Sequence, residues 1–152
     1  ENRIIPDCIR AAYKSQEIIV RNPYSIRPYQ HVLEPLYVYL MIAKAQCENI
    51  EFAGYYNVGP DECDCITTGD LVDLFCKEWG NGQAWKNVCN QGPHEAQFLK
   101  LDCSKLKNTF GWGPRWQITE AVVKTVEWAK VYEQNDSIVD CMEKQIRLFM
   151  LG

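Results

Sequence analysis

The segment from Glu34 to Glu48 constrains the fold of this chain most, because it reads as one helix with almost no polar face. Glu34-Pro35 marks its start, since proline at the first helical position loses no hydrogen bond. A helix that is apolar all round is buried on all sides. A chain of 152 residues has little room to surround one helix completely. We therefore predict that part of the structure that would cover this helix is missing from the chain. The apolar residues are Leu36, Tyr37, Val38, Tyr39, Leu40, Met41, Ile42, Ala43 and Ala45.

Just before this helix, Arg27 is held in a defined position by the residue that follows it. Pro28 fixes its own φ at about −65° and favours an extended backbone at Arg27. A short apolar strand containing His31 then leads into the helix. An arginine presented in this way suits a planar, bidentate anion such as phosphate. A surface ion pair with a carboxylate is the alternative, and the residues alone leave both open.

The overall charge argues against nucleic acid as the main partner. The net charge is −4 and the pI is near 5.2, whereas a nucleic-acid surface needs a basic footprint. A membrane span is not expected either, because the longest apolar run, Leu36 to Ala43, is far shorter than the roughly 20 residues that a bilayer needs. The length fits a single domain over residues 1–152, and Glu1 to Ile5 does not resemble a signal peptide.

The cysteines favour reduced thiols over disulfides or a metal site. Several of the eight lie at apolar positions of helical patterns, where a free cysteine acts as a small core residue. Cys63-Asp64-Cys65 lacks the spacing of a zinc knuckle, and no histidine nearby completes a site. We therefore expect no metal and a reducing cytoplasm. The eight are Cys8, Cys47, Cys63, Cys65, Cys76, Cys89, Cys103 and Cys141.

Local patterns predict the other elements of an α/β chain. Pro6 and Asp7 suit the first turn of a helix over residues 4–13. Because the chain begins directly at that helix, we expect a fragment of a larger fold. Thr67 to Asp70 fits a capping box. We predict strands at Glu17 to Arg21, Phe52 to Val58 and Trp85 to Cys89, and further helices at Leu71 to Trp79, Ser104 to Phe110, Ile118 to Tyr132 and Ile138 to Phe149.

Motifs for catalysis and dinucleotide binding are absent from the sequence. No G-x-G-x-x-G follows a strand, and there is no P-loop. Tyr39 and Lys44 are five residues apart, so they do not form a Tyr-x-x-x-Lys pair. We interpret His31 as a core residue whose hydrogen bonds are satisfied. His94 lies beside Glu95 in a Gly-Pro loop, and the residues leave open whether it contacts a ligand or is only a loop residue. The residues by themselves therefore predict a binding module in which an arginine binds an anion and no residue is catalytic.

Six motifs in order across nearly the whole chain resemble the C-terminal part of extended short-chain dehydrogenases/reductases, the NAD-dependent epimerase/dehydratase family. Other members usually have Arg-Asp-aromatic where this chain has Arg27-Pro28-Tyr29, and that departure points to the branch that acts on CDP-glucose. The motifs are Arg-Ile-Ile-Pro-Asp (3–7), Ile-Arg-Pro-Tyr-Gln-His-Val-Leu-Glu-Pro-Leu (26–36), Tyr-Asn-Val-Gly-Pro (56–60), Gly-Pro-His-Glu-Ala (92–96), Leu-Asp-Cys-Ser-Lys (101–105) and Gly-Trp-Gly-Pro-Arg-Trp (111–116).

The resemblance implies a fold and a parent reaction. The chain would be the small substrate-binding domain, with the last helix and strand of the Rossmann half, and would lack the dinucleotide-binding core. In the parent reaction NAD⁺ oxidises C4 of CDP-glucose, water is lost across C5 and C6, and the hydride returns to C6. Such a lyase belongs to deoxysugar and O-antigen (lipopolysaccharide) biosynthesis. The family's Tyr/Lys pair has no counterpart here, so this chain alone is expected to be inactive and to bind no NAD.

The resemblance also implies site residues. Arg27 would contact the substrate diphosphate, and Arg3 would lie near phosphate or sugar. The strand from Ile18 through Val20 to Arg21 would lie along the cytosine ring through its backbone groups. His94 occupies a loop that often approaches the nucleotide, although relatives commonly have an arginine nearby.

The expected partners follow from the same comparison. In the family, the helix from Glu34 to Glu48 and the strand from Phe52 to Val58 pack against the Rossmann half, so both would be partly uncovered here. An exposed apolar patch favours association, and we therefore predict a homo-oligomer. The alternative is a stand-alone, non-catalytic binding or assembly protein on the same scaffold.

Overall fold

Six α-helices and two small sheets make up the part of the chain described by our computed structural model, residues 3–88 and 98–152. The mixed α/β fold agrees with the class predicted from the sequence. The elements are α1 (Ile4–Tyr13), β1 (Ile18–Val20), β2 (Ile26–Arg27), α2 (Leu33–Glu48), β3 (Ile66–Thr67), α3 (Thr68–Trp79), β4 (Trp85–Asn87), α4 (Ser104–Phe110), α5 (Ile118–Glu133) and α6 (Ile138–Leu151), with 3-10 turns at Ile50–Phe52 and Glu62–Asp64.

The main core lies between α1, β1, α3 and α5. The apolar residues of each helix recur three or four positions apart, which places them on one face. Tyr13 ties α1 to α5 because its hydroxyl donates to the Ala129 carbonyl at 2.5 Å, and Phe75 stacks on Trp79 within α3. Burial of this face holds the domain together. Its most enclosed members are Cys8, Ile18, Val20, Leu71, Val72, Phe75, Val126 and Ala129.

The two sheets are short and have different topologies. In the first, β1 and β4 are parallel, with Ile18 opposite Trp85 and Val20 opposite Asn87. In the second, β2 and β3 are antiparallel, with Ile26 opposite Thr67. A parallel pair needs a crossover connection, and here α2 and α3 lie between the two strands in the chain.

Helix α2 has one buried side and one exposed side. Val38 is fully buried with Leu106 and Trp112 in a second, smaller core. Leu36, Tyr39 and Leu40 on the other side are 47%, 60% and 73% exposed. The sequence predicted a helix with part of its wall uncovered, and this exposed apolar face agrees with that prediction.

Three local predictions were wrong. The strand expected from Phe52 to Val58 does not form, because a 3-10 turn ends at Phe52 and irregular backbone follows. His31 lies after β2 rather than inside a strand. Pro35 is the third residue of α2 rather than the first, which costs little because the first-turn N–H groups have no intrahelical partner.

The described cysteines carry free thiols. Cys8, Cys103 and Cys141 are buried, while Cys47 and Cys63 are exposed. Burial raises the pKa of Cys8 to about 12, so this thiol is an apolar core group at neutral pH. Cys89 lies outside the described residues.

None of the helices in the described ranges is long and apolar enough to cross a bilayer.

Candidate functional site

A loop between β1 and β2 brings two arginines to one place. Arg21 directly follows β1, and Arg27 ends β2. The loop between them is fixed on the first turn of α3, because the amides of Thr68 and Gly69 donate to the carbonyls of Ser25 and Pro23 at 2.9 and 2.8 Å. These two donors would otherwise be unpaired at a helix start. The start of α3 therefore sets the position of both arginines.

Gly69 is needed for this docking. A Cβ built at Gly69 would lie only 3.2 Å from the Pro23 carbonyl oxygen, closer than an ordinary contact. The absence of a side chain allows the loop backbone to approach the helix, as glycine does at close backbone contacts.

Three hydroxyl groups reinforce the same junction. The hydroxyl oxygens of Ser25 and Thr68 lie 2.9 Å apart, and those of Tyr29 and Thr68 lie 2.8 Å apart. Ser25 and Thr68 are both buried. The amide of Tyr29 also donates to the Arg27 carbonyl at 3.0 Å, which closes a tight turn after Pro28. Arg27 is thus held by the backbone turn and by the hydroxyl cluster.

Arg21 and Arg27 line a common cleft of about 810 Å³ between α1, β1 and the loop. Arg10 and Lys14 reach it from α1, so the sequence analysis missed two cations of the site. The available signal was their spacing, since residues four apart share one helix face. The full lining is Ile4, Asp7, Arg10, Ala11, Lys14, Gln16, Glu17, Ile19, Val20, Arg21, Asn22, Ser25, Arg27, Tyr29 and Thr68.

The charge of the cleft is opposite to the charge of the chain. Four cations line it against two carboxylates, although the net charge of the whole chain is −4. Asp7 is paired with Arg10, and Glu17 lies 3.1 Å from Lys86. The two carboxylates are thus engaged by lysine or arginine partners. The cleft consequently favours an anionic ligand.

Strand β1 forms one wall of this cleft through its edge. The side chains of Ile18 and Val20 are buried in the core, while that of Ile19 is about half exposed. The Ile18 amide donates to the Ala84 carbonyl, and the Val20 carbonyl accepts from Val88. Because parallel strands alternate their bonding edges, the backbone groups of Ile19 point away from β4. Ile19 is the residue of this strand that faces outward.

The predicted site residues are only partly brought together. Val20, Arg21 and Arg27 line the cleft, whereas Ile18 is enclosed behind it. Arg3 precedes α1 with an exposed side chain, and its carbonyl accepts from Asp7 at 3.0 Å; it is not among the lining residues. His94 lies outside the described residues.

His31 is a core residue rather than part of the cleft. Its ring contacts Trp116 edge-on with centroids 4.9 Å apart, and its Nδ1 accepts from the Leu33 amide at 3.3 Å. Burial, with the nearby charge of Lys124, lowers the pKa of His31 to about 4. Within residues 3–88 and 98–152, no three His, Cys, Asp or Glu side chains are grouped so that they could hold a metal ion.

Known proteins were compared with the chain by sequence and by fold. No protein-family model matches it. CDP-glucose 4,6-dehydratase from Salmonella typhimurium is 40% identical over 151 residues, which are 99% of this chain and 42% of that protein. UDP-N-acetylglucosamine 4-epimerase from Bacillus cereus has a similar fold, with a TM-score of 0.65 and 18% identity over 86% of this chain and 44% of that chain. The chain thus spans about two fifths of each.

The sequence match covers the segments that build the cleft and those that build both cores, and the fold match agrees with it. By sequence the chain is therefore similar to part of CDP-glucose 4,6-dehydratase, and by fold it is similar to part of UDP-N-acetylglucosamine 4-epimerase.

Proposed function

We propose that the cleft binds the diphosphate of a CDP-sugar and that the chain is the substrate-binding portion of a CDP-glucose 4,6-dehydratase. The observation that carries this proposal is that Arg21 and Arg27, on either side of a loop hydrogen-bonded to the start of α3, line one cationic cleft. Guanidinium groups bind phosphate oxygens bidentately, and a fixed loop reduces the ordering cost of binding.

The remaining roles follow from the family resemblance. Arg27 contacts the diphosphate, with Arg21 beside it. The β1 strand lies along the cytosine ring, and Ile19 presents the backbone groups on the open edge, next to Ile18 and Val20. Arg3 lies near the phosphate or sugar, and His94, which is outside the described residues, is proposed as a contact to the nucleotide.

The parent enzyme needs groups that this chain does not supply. Its reaction begins with oxidation by NAD⁺, and the sequence carries neither a glycine-rich dinucleotide turn nor a Tyr-x-x-x-Lys pair. We therefore propose that the chain is inactive by itself, binds no NAD, and pairs with a Rossmann half over the exposed face of α2. Such an enzyme of deoxysugar and lipopolysaccharide biosynthesis works in the cytoplasm.

The binding proposal is tested by calorimetric titration with CDP. Arg27→Ala is expected to weaken binding about tenfold to 100-fold, because a charged, bidentate contact is lost. Arg27→Lys should fall in between, since lysine keeps the charge without the planar fork. Arg147→Ala is the matched control, because Arg147 lies on α6 and pairs with Glu143. Unchanged affinity in Arg27→Ala would remove Arg27 from the site.

A second measurement separates the enzyme portion from a stand-alone binding protein. The chain incubated with NAD⁺ and CDP-glucose should release no dehydrated sugar, as followed by chromatography. A reading frame upstream in the gene that encodes a glycine-rich strand-turn-helix and Tyr-x-x-x-Lys supports the enzyme. Turnover by the chain alone would contradict the proposal that the chain is inactive without a Rossmann half.

A further inference from the structure

A groove of about 220 Å³ lies between the start of α2, α5 and α6, away from the cationic cleft. None of the side chains that line it carries a charge at neutral pH. Its volume is below the roughly 300 Å³ at which pockets begin to hold drug-sized ligands, so it has room for a compound of one or two rings. The lining residues are His31, Val32, Leu33, Thr125, Trp128, Met142, Gln145 and Ile146.

His31 offers a hydrogen-bond donor to this groove. Its Nδ1 accepts from the Leu33 amide at 3.3 Å, and a pKa of about 4 keeps the ring neutral at pH 7. In a neutral imidazole one nitrogen accepts and the other carries the proton, so the proton is on Nε2. Within residues 3–88 and 98–152, Nε2 has no hydrogen-bond partner and is not one of the fully enclosed unpaired atoms. A side chain that is only 8% exposed thus keeps a donor for a ligand.

Gln145 offers an acceptor to the same groove. Its Nε2 donates to the Lys124 carbonyl at 2.9 Å and to Glu127 Oε2 at 3.3 Å, and these two bonds assign the orientation of the amide. In the described ranges Oε1 has no partner and is not among the fully enclosed unpaired atoms, although the residue is only 5% exposed. Because buried amide oxygens are normally hydrogen-bonded, this oxygen is suited to an N–H group of a ligand.

The other lining side chains form apolar and aromatic walls. Trp128 stacks on Tyr132 with ring centroids 5.6 Å apart, so its indole is held in place for a flat ring to pack against. Met142 on α6 is 48% exposed, and its thioether adapts to an aromatic neighbour. The Thr125 hydroxyl donates to the Ala121 carbonyl at 2.7 Å and therefore supplies no donor. The walls favour a planar, largely apolar compound.

The charged groups beside His31 and Gln145 are already paired. Lys124 Nζ lies 3.3 Å from Glu120 Oε1, and Glu127 Oε1 lies 2.7 Å from Lys144 Nζ. A charged ligand would lose its hydration in an apolar groove and gain no ion pair with the lining. The groove therefore favours a neutral ligand, in contrast to the anion expected in the cleft.

We propose that this groove binds a neutral, planar ring compound with one acceptor for the Nε2–H of His31 and one donor for Oε1 of Gln145, such as a fused-ring lactam. A lactam carries both groups in one plane and has no net charge. The groove shares no lining residue with the cationic cleft, so the site is independent of the proposed function.

Titration with 2-quinolinone, a neutral fused-ring lactam, tests the site by ¹H–¹⁵N NMR. The wild-type chain is expected to bind it with a Kd of about 0.1–1 mM, the range of a ligand of its size. The ring nitrogens of His31 should show the proton on Nε2, and that signal should shift during the titration.

Met142→Trp should raise the Kd at least tenfold, because the indole fills the groove from its rim. Met150→Trp is the matched control, since Met150 is also exposed on α6 but does not line the groove. Both variants should bind CDP like the wild type, so a failure of this site and a failure of the cleft are read separately. Circular dichroism confirms that each variant is folded.

A change in the ligand tests the predicted hydrogen bond to Gln145. N-methyl-2-quinolinone lacks the N–H group and should bind the wild type about tenfold more weakly than 2-quinolinone. In Gln145→Met the acceptor is lost, and the two compounds should bind with similar Kd values.

Three results would overturn the proposal. The first is no binding of 2-quinolinone by the wild type at about 3 mM, above the expected Kd. The second is an equal Kd in the wild type and Met142→Trp. The third is a wild-type chain that binds 2-quinolinone and its N-methyl form equally well.

Discussion

Glu34 is a carboxylate enclosed at the start of α2. Its Oε1 accepts from the amides of Arg115 and Trp116 at 2.8 and 2.9 Å, while its buried Oε2 has no hydrogen-bond partner among residues 3–88 and 98–152. Burial raises the pKa of this carboxyl, and the two amide bonds oppose that shift. The sequence marked Glu34 only as part of a helix start. The structure makes it the anchor of the segment that precedes α5.

Glu34→Gln is expected to change the free energy of unfolding by no more than about 1 kcal/mol, because the amide keeps an oxygen acceptor and removes a buried charge. Glu34→Ala should cost about 2–4 kcal/mol, since two buried amides lose their acceptor. Urea denaturation at pH 7 measures both.

The pH dependence gives a further check on Glu34. A carboxyl with a raised pKa in the folded state loses stability as the pH rises above its unfolded value. The free energy of unfolding of the Gln variant, relative to that of the wild type, should therefore be highest at higher pH. If the Gln and Ala variants lost equal amounts of unfolding free energy, the carboxylate itself would be required for stability.

At the scale of elements, α3 shows that a few neighbouring residues can be sufficient to predict where a helix begins. Thr67 Oγ1 accepts from the Asp70 amide at 3.0 Å, and the Asp70 carboxylate accepts from the Thr67 amide at 3.3 Å. This capping box was predicted from the four residues Thr67 to Asp70 and is confirmed. The predicted bounds of α1 and the end of α4 at Gly111, which has a φ of 62°, are confirmed for the same reason.

Thr67→Ala should destabilise the chain by about 1 kcal/mol, because the first turn of α3 loses its cap. Thr67→Ser keeps the hydroxyl and should remain within a few tenths of a kcal/mol of the wild type. Thermal unfolding of the three proteins in parallel measures the difference. A Ser variant as unstable as the Ala variant would point to the methyl group rather than the cap.

The segment after α2 shows where local signals fail. Phe52 to Val58 has the β-branched and aromatic residues of a strand, yet it pairs with no strand in the described part of the chain. Strand propensity reflects packing on a sheet rather than a backbone preference, and a strand needs a neighbour to bond with. The Tyr56 hydroxyl instead donates to the Phe52 carbonyl at 2.9 Å.

For the whole molecule, the burial of His31 links folding to pH. Its ring lies between segments that are far apart in sequence, since Trp116 covers it and Lys124 lies near enough to lower its pKa. A histidine in the folded state with a pKa of about 4, below the unfolded value of about 6.5, resists protonation. The unfolded chain then binds more protons between these values, so stability falls as the pH drops through this window.

His31→Asn is expected to remove this contribution, which amounts to about 3 kcal/mol between pH 6.5 and pH 4. Asparagine retains an acceptor for the Leu33 amide but does not titrate. The variant should be less stable than the wild type at pH 7 and show a flatter decline toward pH 4, as followed by urea denaturation at several pH values. Parallel pH profiles of the two proteins would contradict a buried neutral histidine.

The sequence by itself determined the helices to within a few residues, the capping box of α3 and the uncovered face of α2, because these depend on residues within a few positions of each other. The tertiary structure decided which side chains meet. It joined Arg10 and Lys14 on α1 to Arg21 and Arg27 around one cleft, and it enclosed Glu34 and His31 under residues more than 80 positions later. Contacts of this kind depend on how helices pack, and no local pattern of residues encodes them.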